Sequence, residues 1–225
     1  PYEMVRNDIG YMRQNVKLVG RNCGFTYSDL GATHQSLDDF AIMRMIPGMT
    51  ILAPQDPNEI KAAVRAMIEH EGPVYMRVGN PKISNILPEK EFVIGKGTVL
   101  EDGEDITIIS TGSTTEAALT AAKELKERGI SVRVIGMPTV YPLDTKLVEE
   151  SAKKTGVILT VEEHYAEGGL GTLVTEACSA FSDIKVYRLG VPAIYAATGS
   201  YPELLHYYHI DAEGIAGEVK KVLSK

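Results

Sequence analysis

The sequence predicts an α/β chain of two three-layer α/β/α domains with mostly parallel sheets. Three observations carry that reading. Short apolar runs rich in β-branched residues alternate with amphipathic helical stretches, the alternation falls into two blocks, and breakers from Gly79-Asn80-Pro81 to Pro88 separate the blocks. The resulting division is 1–80, a linker at 81–94, and 95–225. Strands alternating with helices need crossover connections, which produce parallel sheets covered on both faces.

In the first block, 16–19 is a short apolar strand, and 35–46 reads as a helix with Leu37, Phe40 and Ala41 inward, ended by Pro47-Gly48. The next strand is 49–53. Asp56-Pro57-Asn58-Glu59 then offers an N-cap, a proline at the first helical position and a capping-box glutamate. Ile60, Ala63, Val64, Met67 and Ile68 follow at helical spacing, Gly72-Pro73 stops them, and 74–78 is another strand.

The second block begins with the strand Ile106-Thr107-Ile108-Ile109. Ser113-Thr114-Thr115-Glu116 reads as a capping box, Ala118, Ala121, Ala122 and Leu125 as the inner stripe of a helix, and Gly129 as its C-terminal cap. Further strands are expected at 132–135, 157–161 and 186–189. Helices are expected at 143–153, 170–181, 202–208 and, capped by Asp211, 212–223.

Composition narrows the function classes. The 225 residues are 44% hydrophobic and 24% charged, the balance of a folded chain, and the net charge of -7 argues against a nucleic-acid or anionic-membrane partner. Cys23 and Cys178 lack any C-x-x-C spacing, so a reducing cytoplasm is expected, with both thiols buried and neither a zinc knuckle nor a disulfide framework. The most apolar stretch, 41–54, is broken by Arg44 and Pro47-Gly48. Because the chain starts at Pro1 with no signal segment, it is expected to begin partway through a longer product.

Ligands of parallel α/β sheets collect at the carboxyl ends of strands, which directs attention to the polar loop after 16–19. It runs from Gly20 through Cys23-Gly24 to Gly31-Ala32-Thr33-His34-Gln35 and delivers His34 to an expected helix start, where an imidazole can donate or accept a hydrogen bond. His164 ends another strand and precedes Glu167-Gly168-Gly169-Leu170-Gly171, which lacks the spacing of a phosphate loop and reads as a tight strand-to-helix turn. His206 and His209, beside Tyr201, Tyr207 and Tyr208, read as packing or a subunit contact. No carboxylate and histidine spacing suggests a metal set, and G-x-S-x-G is absent.

Gly31-Ala32-Thr33-His34-Gln35, the acidic helix expected after it and Ile46-Pro47-Gly48-Met49-Thr50 closely resemble transketolases. Ala53-Pro54-Gln55-Asp56 with Glu59, and Gly72-Pro73-Val74-Tyr75-Met76-Arg77, resemble the end of the transketolase pyrimidine-binding domain. Residues from Gly95 on, including Ser110-Thr111-Gly112-Ser113, Glu162-Glu163-His164 and Gly168-Gly169-Leu170-Gly171, resemble its C-terminal domain. The likeness covers essentially the whole chain and is strongest to the C-terminal subunits of split transketolases. It implies that 1–80 is the C-terminal part of a pyrimidine-binding domain, so that the first of the two domains is incomplete.

The resemblance implies transfer of a two-carbon ketol unit from a ketose phosphate to an aldose phosphate, with thiamine diphosphate and Mg2+ (or Ca2+) in the complete enzyme. An N-terminal transketolase subunit or domain would hold the diphosphate and metal, with a homodimer formed through both α/β domains. This chain alone is expected to bind no cofactor and to be inactive. His34 matches the family's catalytic histidine, and Asn22, Asp29, Gln35, Arg77 and Asn80 fall at or beside substrate-binding positions. Leu30 stands where an aspartate is usual, with Asp29 one place earlier, while Asn22 and Asn80 replace a histidine and an arginine that contact phosphate. A neutral amide grips phosphate less firmly than a guanidinium. Two alternatives stay open: another thiamine diphosphate enzyme (deoxyxylulose phosphate synthase or a 2-oxoacid dehydrogenase beta subunit), and a non-catalytic dimerisation module.

Overall fold

The structure, a computed structural model, describes residues 1–79 and 82–224. A helix, α1, opens the chain, α-helical over Tyr2–Met4 and widened to π geometry over Val5–Tyr11. The first block continues with β1 (Lys17–Arg21), α2 (Asp39–Arg44), β2 (Thr50–Leu52), α3 (Pro57–Glu69) and β3 (Val74–Val78). The second holds β4 (Thr98–Glu101), β5 (Ile106–Ser110), α4 (Thr114–Lys126), β6 (Val132–Gly136), β7 (Thr139–Tyr141), α5 (Thr145–Thr155), β8 (Val157–Tyr165), α6 (Leu170–Cys178), β9 (Lys185–Val191), α7 (Tyr201–Tyr207) and α8 (Ala212–Leu223).

Two sheets result, both mostly parallel and both flanked by helices. The first has the order β1-β3-β2-β7, with β1, β3 and β2 parallel and β7 antiparallel. The second has the order β4-β6-β5-β8-β9, antiparallel only at β4. In the second sheet the strand alternation sends Ile106 and Ile108 of β5 into a core with Leu125 and Val219, while Ile109 packs on the opposite face with Val148 and Val174. The first sheet is built the same way, since Ile51 packs with Phe40 on one face and Leu52 with Ala63 and Met67 of α3 on the other.

The two blocks interlock. Although β7 follows β6 in the chain, it leaves the second sheet and pairs with β2, setting Ile51 opposite Tyr141. The Ala53 amide donates to the Pro138 carbonyl at 2.7 Å, and Thr115 Oγ1 donates to Gln55 Oε1 at 2.9 Å. Gly136 has no Cβ because one would lie 2.0 Å from Gln55 Oε1. The expected linker also lies on the first block over its described residues: Asp56 Oδ2 accepts the Leu87 amide at 2.7 Å, and Leu87 and Phe92 are buried.

Some expected elements take a different form. The helix expected over 35–46 is only α2, because Ser36 pairs with Gly24 as an isolated antiparallel bridge and the Leu37 carbonyl accepts the Tyr165 amide, which holds the chain extended before Asp39. His34 therefore sits in a turn and does not open a helix. Ser113 precedes α4 but makes no side-chain cap; its hydroxyl donates to Glu163. The strand expected at 157–161 continues to Tyr165 and takes His164 into the interior.

Candidate functional site

The parallel strand β1 ends at Arg21, and the chain then forms a loop closed at its neck by the Gly24–Ser36 bridge, whose two hydrogen bonds measure 2.8 and 3.0 Å. This is the position at which a parallel sheet presents a ligand. His34 lies on the loop's exposed side, its amide donating to the Gly31 carbonyl at 3.0 Å and its Nδ1 lying 3.0 Å from Thr33 Oγ1. With Nδ1 engaged, Nε2 is the ring nitrogen left for a ligand.

The base of this loop is held by the second block. Phe25 and Leu37, one at each end of the neck, are buried with Val191, Leu204, Tyr208 and Ile210, and the Phe25 ring stacks on Tyr208 with centroids 5.3 Å apart. Glu163 Oε1 accepts the Phe25 amide at 2.6 Å while its other oxygen accepts the hydroxyls of Ser113 and Tyr201. Gly24 is required there, because it has φ +60° and a Cβ would fall 2.1 Å from that carboxylate.

Asn22, Gln35 and Asp29 lie on the same loop. Asn22 adopts φ +63°, a region asparagine tolerates better than most residues, and donates from Nδ2 to the Tyr27 hydroxyl at 2.7 Å. Tyr27 in turn meets the His34 ring edge-on at 6.2 Å. Gln35 Nε2 donates to the Ala197 carbonyl at 3.0 Å, linking the loop to the segment before α7. Asp29 is exposed in a single 3-10 turn, Ser28–Leu30.

Arg77 stands apart from that exposed group. It is buried below the neck, donating from Nη2 to the carbonyls of Glu163 at 2.6 Å and Ser36 at 3.3 Å, with Nε 3.4 Å from Asp39 Oδ2 and its guanidinium 4.5 Å above the Phe40 ring. The Tyr75 hydroxyl completes this group by donating to Asp39 Oδ2 at 2.8 Å. Burial and the neighbouring Asp39 raise the Tyr75 phenol well above its ordinary range. A buried guanidinium with these partners braces the loop from below. It also borders a cavity of about 210 Å3 between the two sheets, lined in part by Cys23, Ser113 and Glu163. Desolvation pushes the Cys23 thiol up to about 11, as expected of a buried thiol. Asn80, the remaining expected substrate contact, lies outside the described residues.

The glycine-rich turn after β8 is filled by the protein itself. Glu162, fully buried, accepts the amides of Leu170 and Gly171 at 2.7 and 2.8 Å and so occupies the N-terminus of α6. A Cβ at Gly169 would lie 2.0 Å from Glu162 Oε2, so close backbone approach is what the glycine provides. His164 is equally buried. It is stacked on Phe40 at 5.0 Å, with Nδ1 donating to the Tyr165 carbonyl and Nε2 accepting the Ala41 amide, which assigns the tautomer from its hydrogen bonds. Among the described residues no three histidine, cysteine, aspartate or glutamate side chains form a group able to hold a metal ion, and no helix is long and apolar enough to cross a membrane.

Comparison with known proteins fits both halves of this arrangement. The family model for the transketolase pyrimidine binding domain matches residues 1–84, and that for the transketolase C-terminal domain matches 95–215. The chain belongs to the transketolase family. It is 39% identical, over its whole length and 71% of the relative's, to a putative transketolase C-terminal section of Methanocaldococcus jannaschii. It is 38% identical to a subunit of the apulose-4-phosphate transketolase of Phocaeicola vulgatus, covering 99% of this chain and 72% of that one. A solved split-gene transketolase, described as an inactive beta4 tetramer, superposes with a TM-score of 0.90 at 37% identity over 99% of this chain and 71% of that one. This transketolase chain is thus similar throughout to C-terminal sections and subunits of split transketolases.

The structure also shows side chains that sequence reasoning passed over. Glu163 had no signal beyond its place in a resemblance, Tyr27 carried none, and Tyr201 stood in a tyrosine cluster read as packing or a subunit contact. A signal that could have found Glu163 is Gly24, whose added Cβ would fall 2.1 Å from that carboxylate.

Proposed function

We propose that this chain is the catalytic-loop subunit of a split, thiamine diphosphate-dependent transketolase, acting with an N-terminal transketolase partner on sugar phosphates in the cytoplasm. The observation that carries the reading is the loop 22–36: it displays His34 and Asn22 at the carboxyl end of β1, while its neck is fixed from beneath by Glu163 and Arg77. An exposed imidazole there accepts a proton from a substrate hydroxyl at Nε2 and returns it, and the amides of Asn22 and Gln35 orient sugar oxygens.

Two observations on the described residues support a diphosphate and metal held by the partner subunit. The phosphate-like glycine turn is occupied by Glu162, and no metal-ligating cluster comes together. We therefore assign thiamine diphosphate and Mg2+ or Ca2+ to the partner subunit, and to this chain the orienting of substrate and the movement of its protons. A homodimer of the assembled enzyme belongs to the same reading, with Asp29, Arg77 and Asn80 as further substrate-binding residues.

The test combines the chain with an N-terminal transketolase subunit, thiamine diphosphate and Mg2+, using xylulose 5-phosphate as donor and ribose 5-phosphate as acceptor. Ketol transfer by the mixture and by neither component alone is expected. Condensation of pyruvate with glyceraldehyde 3-phosphate in its place would reassign the chain to a synthase.

A further inference from the structure

Tyr27 stands between the two side chains that define the exposed face of the loop. Its phenolic oxygen accepts from Asn22 Nδ2 at 2.7 Å, its ring meets His34 edge-on at 6.2 Å, and the residue remains 41% exposed. Because Asn22 supplies the hydrogen in that bond, Tyr27 retains its own O–H for another acceptor. The amide orientation follows from burial: Asn22 Oδ1 is buried without a partner, and reversing the amide would bury two unpaired N–H donors in place of one acceptor. Asn22 is itself fixed, since its backbone amide donates to the Val78 carbonyl at 3.0 Å and its φ is +63°. The phenolic oxygen is therefore anchored, and its ring stands against that of His34.

We propose that Tyr27 is a substrate-binding residue that donates its phenolic hydrogen to an uncharged oxygen, hydroxyl or carbonyl, of the sugar beside His34. The inference rests on the ketol-transfer reading and adds a specificity determinant to it. An O–H donor without charge suits the polyol chain of a sugar, whereas a phosphate end is gripped more strongly by a cation. Asn22 and Tyr27 together present neutral donors at this edge of the site, so recognition there reads the carbon chain and its hydroxyls.

Tyr27→Phe keeps the ring against His34 and removes only the O–H. In the full chain combined with the N-terminal subunit, KM for xylulose 5-phosphate or ribose 5-phosphate is expected to rise about five- to tenfold, the loss of one hydrogen bond. The value of kcat should stay within about twofold, and stability should fall by no more than the roughly 1 kcal/mol that loss of the Asn22 bond accounts for. Unchanged KM for both sugars, or activity lost in step with thermal stability, overturns the proposal. A second readout needs no turnover: with carbon-13-labelled tyrosine, the ring signal missing from the Tyr27→Phe spectrum should shift when either sugar is added to the wild-type complex. A shift in a complex that proves inactive would keep the sugar site and discard the ketol-transfer reading, whereas no shift in such a complex discards both.

Discussion

Glu163 accepts the backbone amide of Phe25 at 2.6 Å, joining the C-terminal domain to the neck of the loop that carries His34. The same carboxylate takes hydroxyls from Ser113 at the start of α4 and Tyr201 at the start of α7, so one buried side chain gathers three separate segments. With Phe25 and Leu37 packed among Val191, Leu204 and Tyr208, the C-terminal domain acts as the mount of the loop.

Replacing that mount should weaken fold and function together. Glu163→Ala strands the Phe25 amide and two hydroxyls, and should destabilise the chain by about 2–4 kcal/mol in a denaturant titration. Ser113→Ala or Tyr201→Phe removes a single donor and should cost about 1 kcal/mol. Equal stability of Glu163→Ala and the wild type would show that the neck is held by apolar packing alone.

Two glycines give opposite expectations. Gly169→Ala drives a methyl to within 2.0 Å of Glu162 Oε2 and 2.8 Å of His164 Nδ1, so it should destabilise by about 2–4 kcal/mol. Gly217→Ala, exposed in α8 with nothing within 4 Å of the added carbon, should stabilise by about 0.5–1 kcal/mol. Thermal midpoints moving in opposite directions would confirm both accounts, and a neutral Gly169→Ala would contradict the first.

His206 and Asp211 provide a pH marker. A hydrogen bond from His206 Nδ1 to Asp211 Oδ2 at 2.8 Å, together with the aspartate charge, raises the imidazole above its usual 6.5. The folded state therefore holds the proton more tightly than the unfolded chain, so the pair contributes stability that is present below pH 6.5 and lost as pH rises through the raised value. An NMR titration should place the His206 midpoint above that of the Asp211→Asn variant; equal midpoints would exclude the coupling.

The sequence disclosed those elements whose signals are local. Asp211 and the stripe Ile215, Ala216, Val219 and Val222 mark α8 at its observed limits, and Asp56-Pro57 with Glu59 marks α3, whose N-cap carboxylate accepts the Glu59 amide at 2.7 Å. The three-residue β7 was not legible, since its antiparallel pairing with β2 depends on a strand from the other block. The same non-local cause shortened α2: an apolar stripe containing Leu37 suits a helix, but Leu37 instead enters the core beneath α7. At the site, the motif around His34 was legible, whereas the roles of Glu163 and Arg77 arise from tertiary contacts that local sequence spacing does not encode.

Ketol transfer by the His34→Ala variant, assembled with the N-terminal subunit, tests the central claim most directly. The side chain is exposed and its loop is anchored elsewhere, so the thermal midpoint should match the wild type. Loss of proton transfer should lower kcat by about 10²- to 10⁴-fold. A His34→Ala complex that retains kcat within a few-fold of the wild type would contradict the assignment of this loop to catalysis.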